Sequence, residues 1–211
     1  MKNYCNKGFV LILSAPSGAG KSTLARKLMA GVTGIQTSVS TTTRRPRPGE
    51  REGEAYFFVD EATFKEQIQA GAFLEWAQVF GNYYGTSRQF VETALEQGQV
   101  VILDIDWQGA RQVRQNMEAA GDVVGVFIMP PSKDALAVRL QSRGQDAPEV
   151  IARRMAEAAD EVSHWNEYEY VVINDDLSYA ELCLQKIVEV ERLRLSRVAG
   201  RVADILATFD F

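Results

Sequence analysis

An α/β fold with a parallel sheet flanked by helices is what this sequence predicts, and three observations predict it. Apolar runs of strand length alternate with helical patterns, the runs are continuous and β-branched, and two stretches break that rhythm. Strands that are apolar at every position belong in a parallel sheet covered on both faces. In order, FVLIL (9–13) precedes the helical TLARKLM (23–29), whose Leu and Met positions face a core. VVILDI (100–105) precedes ARQVRQNM (110–117), VVGVFIM (123–129) precedes DALAVRL (134–140), and YVVIN (170–174) precedes a long amphipathic tail. The first interruption, 35–97, carries short alternating strands, TSVSTTT, AYFFV and FLEWAQV, around a helix from Asp60 to Ala70, with Gly71, Gly81 and Gly85 as punctuation. It reads as a mixed α+β insertion. The second, 130–165, holds two helical stretches and no strand, broken by Arg143-Gly144-Gln145-Asp146-Ala147-Pro148, where Pro148 is placed to open a helix. It reads as a helical lid on a Gly hinge, leaving 1–34, 98–129 and 166–211 as the core.

Composition excludes several classes. A chain of 211 residues suits one core with an insertion, because a single core stops growing near about 250 residues. The hydrophobic share of 46% and charged share of 24% rule out disordered, collagen-like and coiled-coil chains. A net charge of −5 disfavours wholesale adhesion to nucleic acid or to an anionic membrane. Cys5 and Cys183 lie far apart with no CxxC spacing, which supports neither a disulfide framework nor a zinc site and fits a reducing, cytoplasmic compartment. The apolar run Phe9–Leu13 is too short for a signal peptide or a membrane span.

The chemistry begins after FVLIL, at Ser14-Ala15-Pro16-Ser17-Gly18-Ala19-Gly20-Lys21-Ser22-Thr23. The phosphate-loop pattern GxxxxGK[ST] is met at Gly20, Lys21 and Ser22, with Ala15 in place of the first Gly. Gly18 and Gly20 let the backbone wrap a phosphate, and the following helix turns its free N–H groups toward the anion. Lys21 then reaches the β and γ phosphates and the Ser22 hydroxyl holds Mg2+. The strand before and the helix after distinguish this stretch from an ordinary Gly-rich turn, so a nucleoside triphosphate with Mg2+ as cofactor is expected.

On the acceptor side, Ser38-Val39-Ser40-Thr41-Thr42-Thr43-Arg44-Arg45-Pro46-Arg47-Pro48-Gly49-Glu50 puts three arginines on a Pro-stiffened loop. Arginine forks bind phosphate bidentately, although a solvated basic loop fits the pattern too. Tyr56 adds a phenol that can hydrogen-bond a phosphate. In Leu74-Glu75-Trp76-Ala77 a carboxylate interrupts an apolar strand, ahead of Gly81-Asn82-Tyr83-Tyr84-Gly85-Thr86. Glu75 can accept from guanine's ring N–H and 2-amino group together, or face solvent on an alternating strand.

Taken in order, APSGAGKST, SVSTTTRRPRPGE, GEAYFF, FLEWAQVFGNYYGTS, VILDIDWQG, PPS, RLQSRGQD and VINDD resemble the guanylate kinase family, bacterial-type members above all, from Phe9 to Arg194. The resemblance implies ATP and GMP as substrates, with Ser40, Arg44, Arg47 and Tyr56 at the GMP phosphate and Arg45 outside the matched set. It implies that Glu75 and Thr86 read guanine, that Tyr84 contacts the phosphate, and that Asp104 or Asp106 lies between acceptor and metal. It also implies Arg139, Arg143 and Arg154 as lid arginines, with Arg153 able to trade roles with Arg154, and Asn174 near the adenine.

An acceptor phosphate, with a second pKa of about 6, is already largely ionised at neutral pH, so no general base is needed. The lone His164 is therefore given no catalytic role. Asp104 reads equally as an acid orienting Mg2+ through water or as a helix N-terminal acid. Arg192, Arg194, Arg197 and Arg201 read as a solvated face. The helices after Arg192 pack on their own core or on a second copy, which would make a homo-oligomer. Two other functions share the pattern: a kinase of ribose 1,5-bisphosphate, against which Glu75 and Thr86 argue, and a phosphopeptide-binding module, against which the intact loop argues.

Overall fold

The computed structural model describes residues 7–117, 122–142 and 148–209. Along the chain run β1 (Phe9–Ser14), α1 (Lys21–Gly31), β2 (Ile35–Thr37), β3 (Thr41–Thr42), β4 (Phe57–Phe58), α2 (Glu61–Gln69), β5 (Phe73–Val79), β6 (Asn82–Ser87) and α3 (Arg88–Glu96). They are followed by β7 (Val100–Asp104), α4 (Trp107–Asn116), β8 (Val123–Met129), α5 (Lys133–Ser142), α6 (Pro148–Ser163), a 3-10 turn at Trp165–Glu167, β9 (Tyr170–Ile173), α7 (Leu177–Arg192) and α8 (Leu195–Leu206).

Five strands form a wholly parallel sheet in the order β2-β7-β1-β8-β9. The unbroken apolar run of β1 follows from its place in the middle. Phe9, Leu11 and Leu13 pack on one face with Leu24 and Leu28 of α1 and Leu184 and Val188 of α7. Val10 and Ile12 pack on the other with Val91 and Leu95 of α3 and Val113 of α4. The carboxyl ends of β1 and β7 lie side by side, Leu13 opposite Asp104, which is where an open parallel sheet binds its ligands.

A second sheet, ordered β4-β3-β6-β5, stands beside the first. The stretch expected as one strand, TSVSTTT, divides between the two: β2 joins β7 in the parallel sheet and β3 pairs antiparallel with β6. The boundary expected at residue 35 thus falls inside the parallel sheet. AYFFV shortens to Phe57–Phe58, and β6 and α3 were not anticipated. Gly85 is not punctuation. It lies within β6, where a Cβ would press into the rings of Phe73 and Phe64, whereas Gly71 and Gly81 do take positive φ. The helix α2 begins after Asp60, whose carboxylate accepts from Thr63 N at 2.7 Å.

Of the C-terminal arginines expected to form a solvated face, Arg194 and Arg201 are exposed, but Arg192 and Arg197 are anchors. Arg197 is buried, its Nη1 donating to a Glu191 carboxylate oxygen at 2.6 Å and its guanidinium 4.3 Å from the Phe9 ring centroid. Tyr170 Oη donates to the other Glu191 oxygen at 2.7 Å. Arg192 donates to the carbonyls of Thr33 and Gly34. A buried carboxylate satisfied from several sides can pin a terminal helix that apolar packing alone leaves loose. Among the described residues no helix is long and apolar enough to cross a membrane.

Candidate active site

The loop from Ala15 to Gly20 is set by two glycines and one buried amide. Gly18 and Gly20 have φ of 92° and 100°, a region L residues with side chains rarely occupy. Asn174, buried at the end of β9, donates through Nδ2 to Ala19 O at 2.7 Å, and a Cβ at Gly20 would collide with that same amide. Gly18 packs under Leu136 and Leu140 of α5. Ala15, Pro16, Ser17, Gly18, Gly20, Lys21, Ser22 and Thr23 line a cavity of about 290 Å³. Ala19 points away from it: it is buried, and its N–H donates to Pro16 O at 3.0 Å.

At the mouth of this cavity Lys21 Nζ lies 2.6 Å from Asp104 Oδ1, and Ser22 Oγ donates to Asp104 Oδ2 at 3.5 Å. The helix-terminal position belongs instead to Asp106, which caps α4 by accepting from Gly109 N at 2.8 Å. Glu161 of α6 also lines the cavity, and sequence reasoning passed over it. Burial pushes its carboxyl above the ordinary range, partly offset by Lys21 and reinforced by Asp106 and its neighbours. Its signal was present: Arg154, Ala158 and Glu161 share one face of α6 at helical spacing.

A second cavity, of about 260 Å³, is lined by Ser40, Tyr56, Thr86 and Asp104 with the carboxyl end of β7. Ser38, also on its wall, was not singled out, and its hydroxyl is buried without a protein partner. Glu75 is buried and accepts from Thr86 Oγ1 at 2.6 Å, which closes the alternative of a solvent-facing side chain. Desolvation raises its carboxyl pKa, and the Thr86 hydrogen bond acts in the opposite sense. Arg44 donates to both oxygens of Glu50 at 2.8 and 3.0 Å and lies 5.3 Å from the Tyr56 ring centroid. That pairing holds the Arg44 charge and keeps Glu50 below its usual range. The Tyr84 ring meets Tyr56 edge-on at 6.0 Å. Arg47 is exposed, and its backbone N–H donates to Glu50 Oε2 at 2.8 Å.

Of the expected lid arginines, Arg139 donates to Asn174 O at 2.9 Å, Arg154 is half-buried, and Arg143 lies outside the described residues, as does Gly144. Arg153 is exposed and pairs with Glu157 at 3.4 Å. His164 stacks on Trp107 at 3.8 Å and faces Glu167 at 2.7 Å. Arg111 grips Glu167 at 2.6 and 2.8 Å, lowering that carboxyl to about 2.

A parallel sheet whose central strand runs into a glycine loop, a lysine and a helix N-terminus defines a P-loop nucleotide-binding protein. A family model described as Guanylate kinase matches residues 7–191. The chain is 54% identical over 202 residues to a guanylate kinase of Chromohalobacter salexigens, covering 96% of this chain and 93% of that one. It is 55% identical over 197 residues to one of Escherichia coli K12, covering 92% and 94%. The crystal structure of a guanylate kinase from Anaplasma phagocytophilum matches with a TM-score of 0.71 at 37% identity, over 91% of this chain and 90% of that one. The chain belongs to the guanylate kinase family, and it is an enzyme, a nucleoside monophosphate kinase.

Proposed function

We propose that this protein transfers the γ-phosphate of ATP to GMP or dGMP, reversibly, giving ADP and GDP or dGDP. The observation that carries the reading is that Asp104 lines both cavities, so a donor on the glycine loop and an acceptor beside Glu75 meet across one carboxylate. In line with this, the core binds ATP, the insertion binds GMP, and 130–165 closes over both.

The loop amides and the α1 N-terminus receive the ATP phosphates, with Asn174 acting from behind the loop through Ala19. Lys21 leaves Asp104 for the phosphates when the nucleotide enters. Ser22 Oγ and the Asp104 carboxylate are hard oxygen donors converging at the cavity mouth, a set that fits Mg2+, which usually takes few protein ligands beside phosphates and water. The ion, when bound with ATP, neutralises phosphate charge. Glu75 and Thr86 receive the guanine edge, Asp106 stands beside Glu75, and Arg44 exchanges Glu50 for the acceptor phosphate, aided by Tyr56, Tyr84, Ser40 and Arg47.

An oxygen of the GMP phosphate then attacks the γ-phosphorus in line, and the bond to the ADP oxygen breaks. The acceptor is already anionic, so the residues position and neutralise charge rather than move a proton. Arg139, Arg143 and Arg154 close on the transferring group and exclude water, the competing acceptor.

The test is ADP release from Mg-ATP with GMP, AMP, CMP, UMP or ribose 1,5-bisphosphate, each beside Lys21→Ala. Turnover with GMP alone, lost in the variant, is expected. Turnover with only the sugar bisphosphate would move the acceptor assignment, and folded protein that binds ATP without turnover would make it a binding module.

A further inference from the structure

Glu75 sits on an edge strand. In the sheet order β4-β3-β6-β5, one side of β5 pairs with β6 and, among the described residues, the other has no strand. Even the paired side is irregular, because the register shifts between Phe73 and Glu75. A bulge next to a carboxylate that must meet a base to within a few tenths of an ångström leaves its height poorly specified by β6 alone.

The helix α4 supplies what the missing strand does not. Gln112 Oε1 accepts from Trp76 N at 3.1 Å while Gln112 Nε2 donates to Trp76 O at 3.1 Å, the two-bond exchange a neighbouring strand residue would make. Asn116 Nδ2 donates to Leu74 O at 2.8 Å. The contacts fall on the residues immediately before and after Glu75. The spacing matches: helix residues four apart rise roughly 6 Å and strand residues two apart roughly 6.6 Å. One turn before Gln112 in α4, a Cβ at Gly109 would lie 3.5 Å from Glu75 Oε2, so the helix backbone lies beside the carboxylate itself. The other oxygen is held by Thr86.

We propose that Gln112, with Asn116, is a positioning residue for base recognition: α4 acts as a surrogate strand that sets the height of Glu75. This rests on the reading that Glu75 accepts from guanine. The same helix meets the lid through Trp107 stacked on His164, and the core segment just after it through Arg111 paired with Glu167, so the base reader and the root of the lid share one rigid element.

The experiment measures kcat and KM for GMP, for IMP (which lacks the 2-amino group) and for ATP in the full-length enzyme, with Gln112→Ala, Gln112→Glu and Glu75→Gln. Gln112→Ala should raise KM for GMP about tenfold, since two hydrogen bonds of ordinary strength are lost. KM for ATP and kcat should stay within about twofold, and the preference for GMP over IMP should shrink. Gln112→Glu keeps the acceptor for Trp76 N–H and should show a smaller shift of the same kind; it carries the test if the alanine variant does not fold. Unchanged GMP parameters, or a proportional change in all of them, would overturn the inference. If Glu75→Gln itself leaves the GMP preference intact, the base-reading assignment fails instead; if Glu75→Gln abolishes it and the Gln112 variants keep it, only the role of Gln112 fails.

Discussion

The donor and acceptor halves of the site are built on opposite plans. The phosphate loop is contiguous, running from Ala15 to Thr23 between the central strand and its helix, and its shape is held by Gly18, Gly20 and one remote brace, Asn174. The acceptor cavity is collected from the β2–β3 crossing, the Tyr56 segment, β5, β6 and the end of β7. Polyphosphate is recognised by backbone amides, which any local turn can supply, whereas a base and a single phosphate need side chains aimed from several directions. The donor half is therefore stiff and local, and the acceptor half depends on tertiary placement.

Breaking the donor half at its charge should have the largest effect. Lys21→Ala should lower kcat by about a thousandfold or more, as loss of a preorganised charge on the transferring group does. Its pairing with Asp104 is partly exposed, so the unfolding midpoint should hardly move. Retained turnover would remove the loop assignment.

Breaking the acceptor half at its reader comes next. Glu75→Gln should raise KM for GMP about a hundredfold, because a buried site then faces guanine's donors with a donor of its own, while KM for ATP stays nearly constant. Equal losses for all acceptors would end the comparison as drawn.

Asn174→Ala probes the brace. The Ala19 carbonyl loses its partner and the space behind Gly20 opens, so KM for ATP should rise about tenfold with little change for GMP. A change in GMP alone would show that the two halves are not separable.

The smallest effect is one of pH. Glu75 must be ionised to accept from guanine, and burial raises its folded pKa above the usual carboxylate value. KM for GMP should therefore begin to rise at a higher pH than an ordinary carboxylate would impose as the solution is acidified, while KM for ATP does not follow. Because the raised pKa belongs to the folded state, the contribution of Glu75 to stability runs the other way, growing as pH falls through that pKa, complete below the ordinary unfolded value and lost as pH rises through the folded one. Glu75→Gln should flatten both trends, and a GMP profile unchanged by that variant would assign them elsewhere.

Much of the fold was legible because the central parallel strands are continuous apolar runs, as in VVGVFIM, whose predicted bounds match β8, whereas the edge strand β2, IQT, carries no such signal. The second sheet was harder. TSVSTTT alternates evenly across a point where the chain leaves one sheet for another, and alternation is blind to which partner a strand takes. NYYGTS carries a glycine that resembles a turn, although Gly85 is there to admit the Phe64 and Phe73 rings. The C-terminal arginines recur at surface-like spacing, and only the position of Glu191 between Tyr170 and Arg197 turns Arg197 inward.

The sequence by itself determined the parallel core, the glycine loop with Lys21 and Ser22, and through its resemblance the guanylate kinase family, because each is written in neighbouring residues whose local conformation follows from their chemistry. Only the tertiary structure decided that Asp104 borders both cavities, that Glu161 enters the first of them, and that Gln112 and Asn116 flank Glu75. Those relations join residues far apart along the chain, and their distances depend on how two sheets and α4 pack rather than on any local pattern.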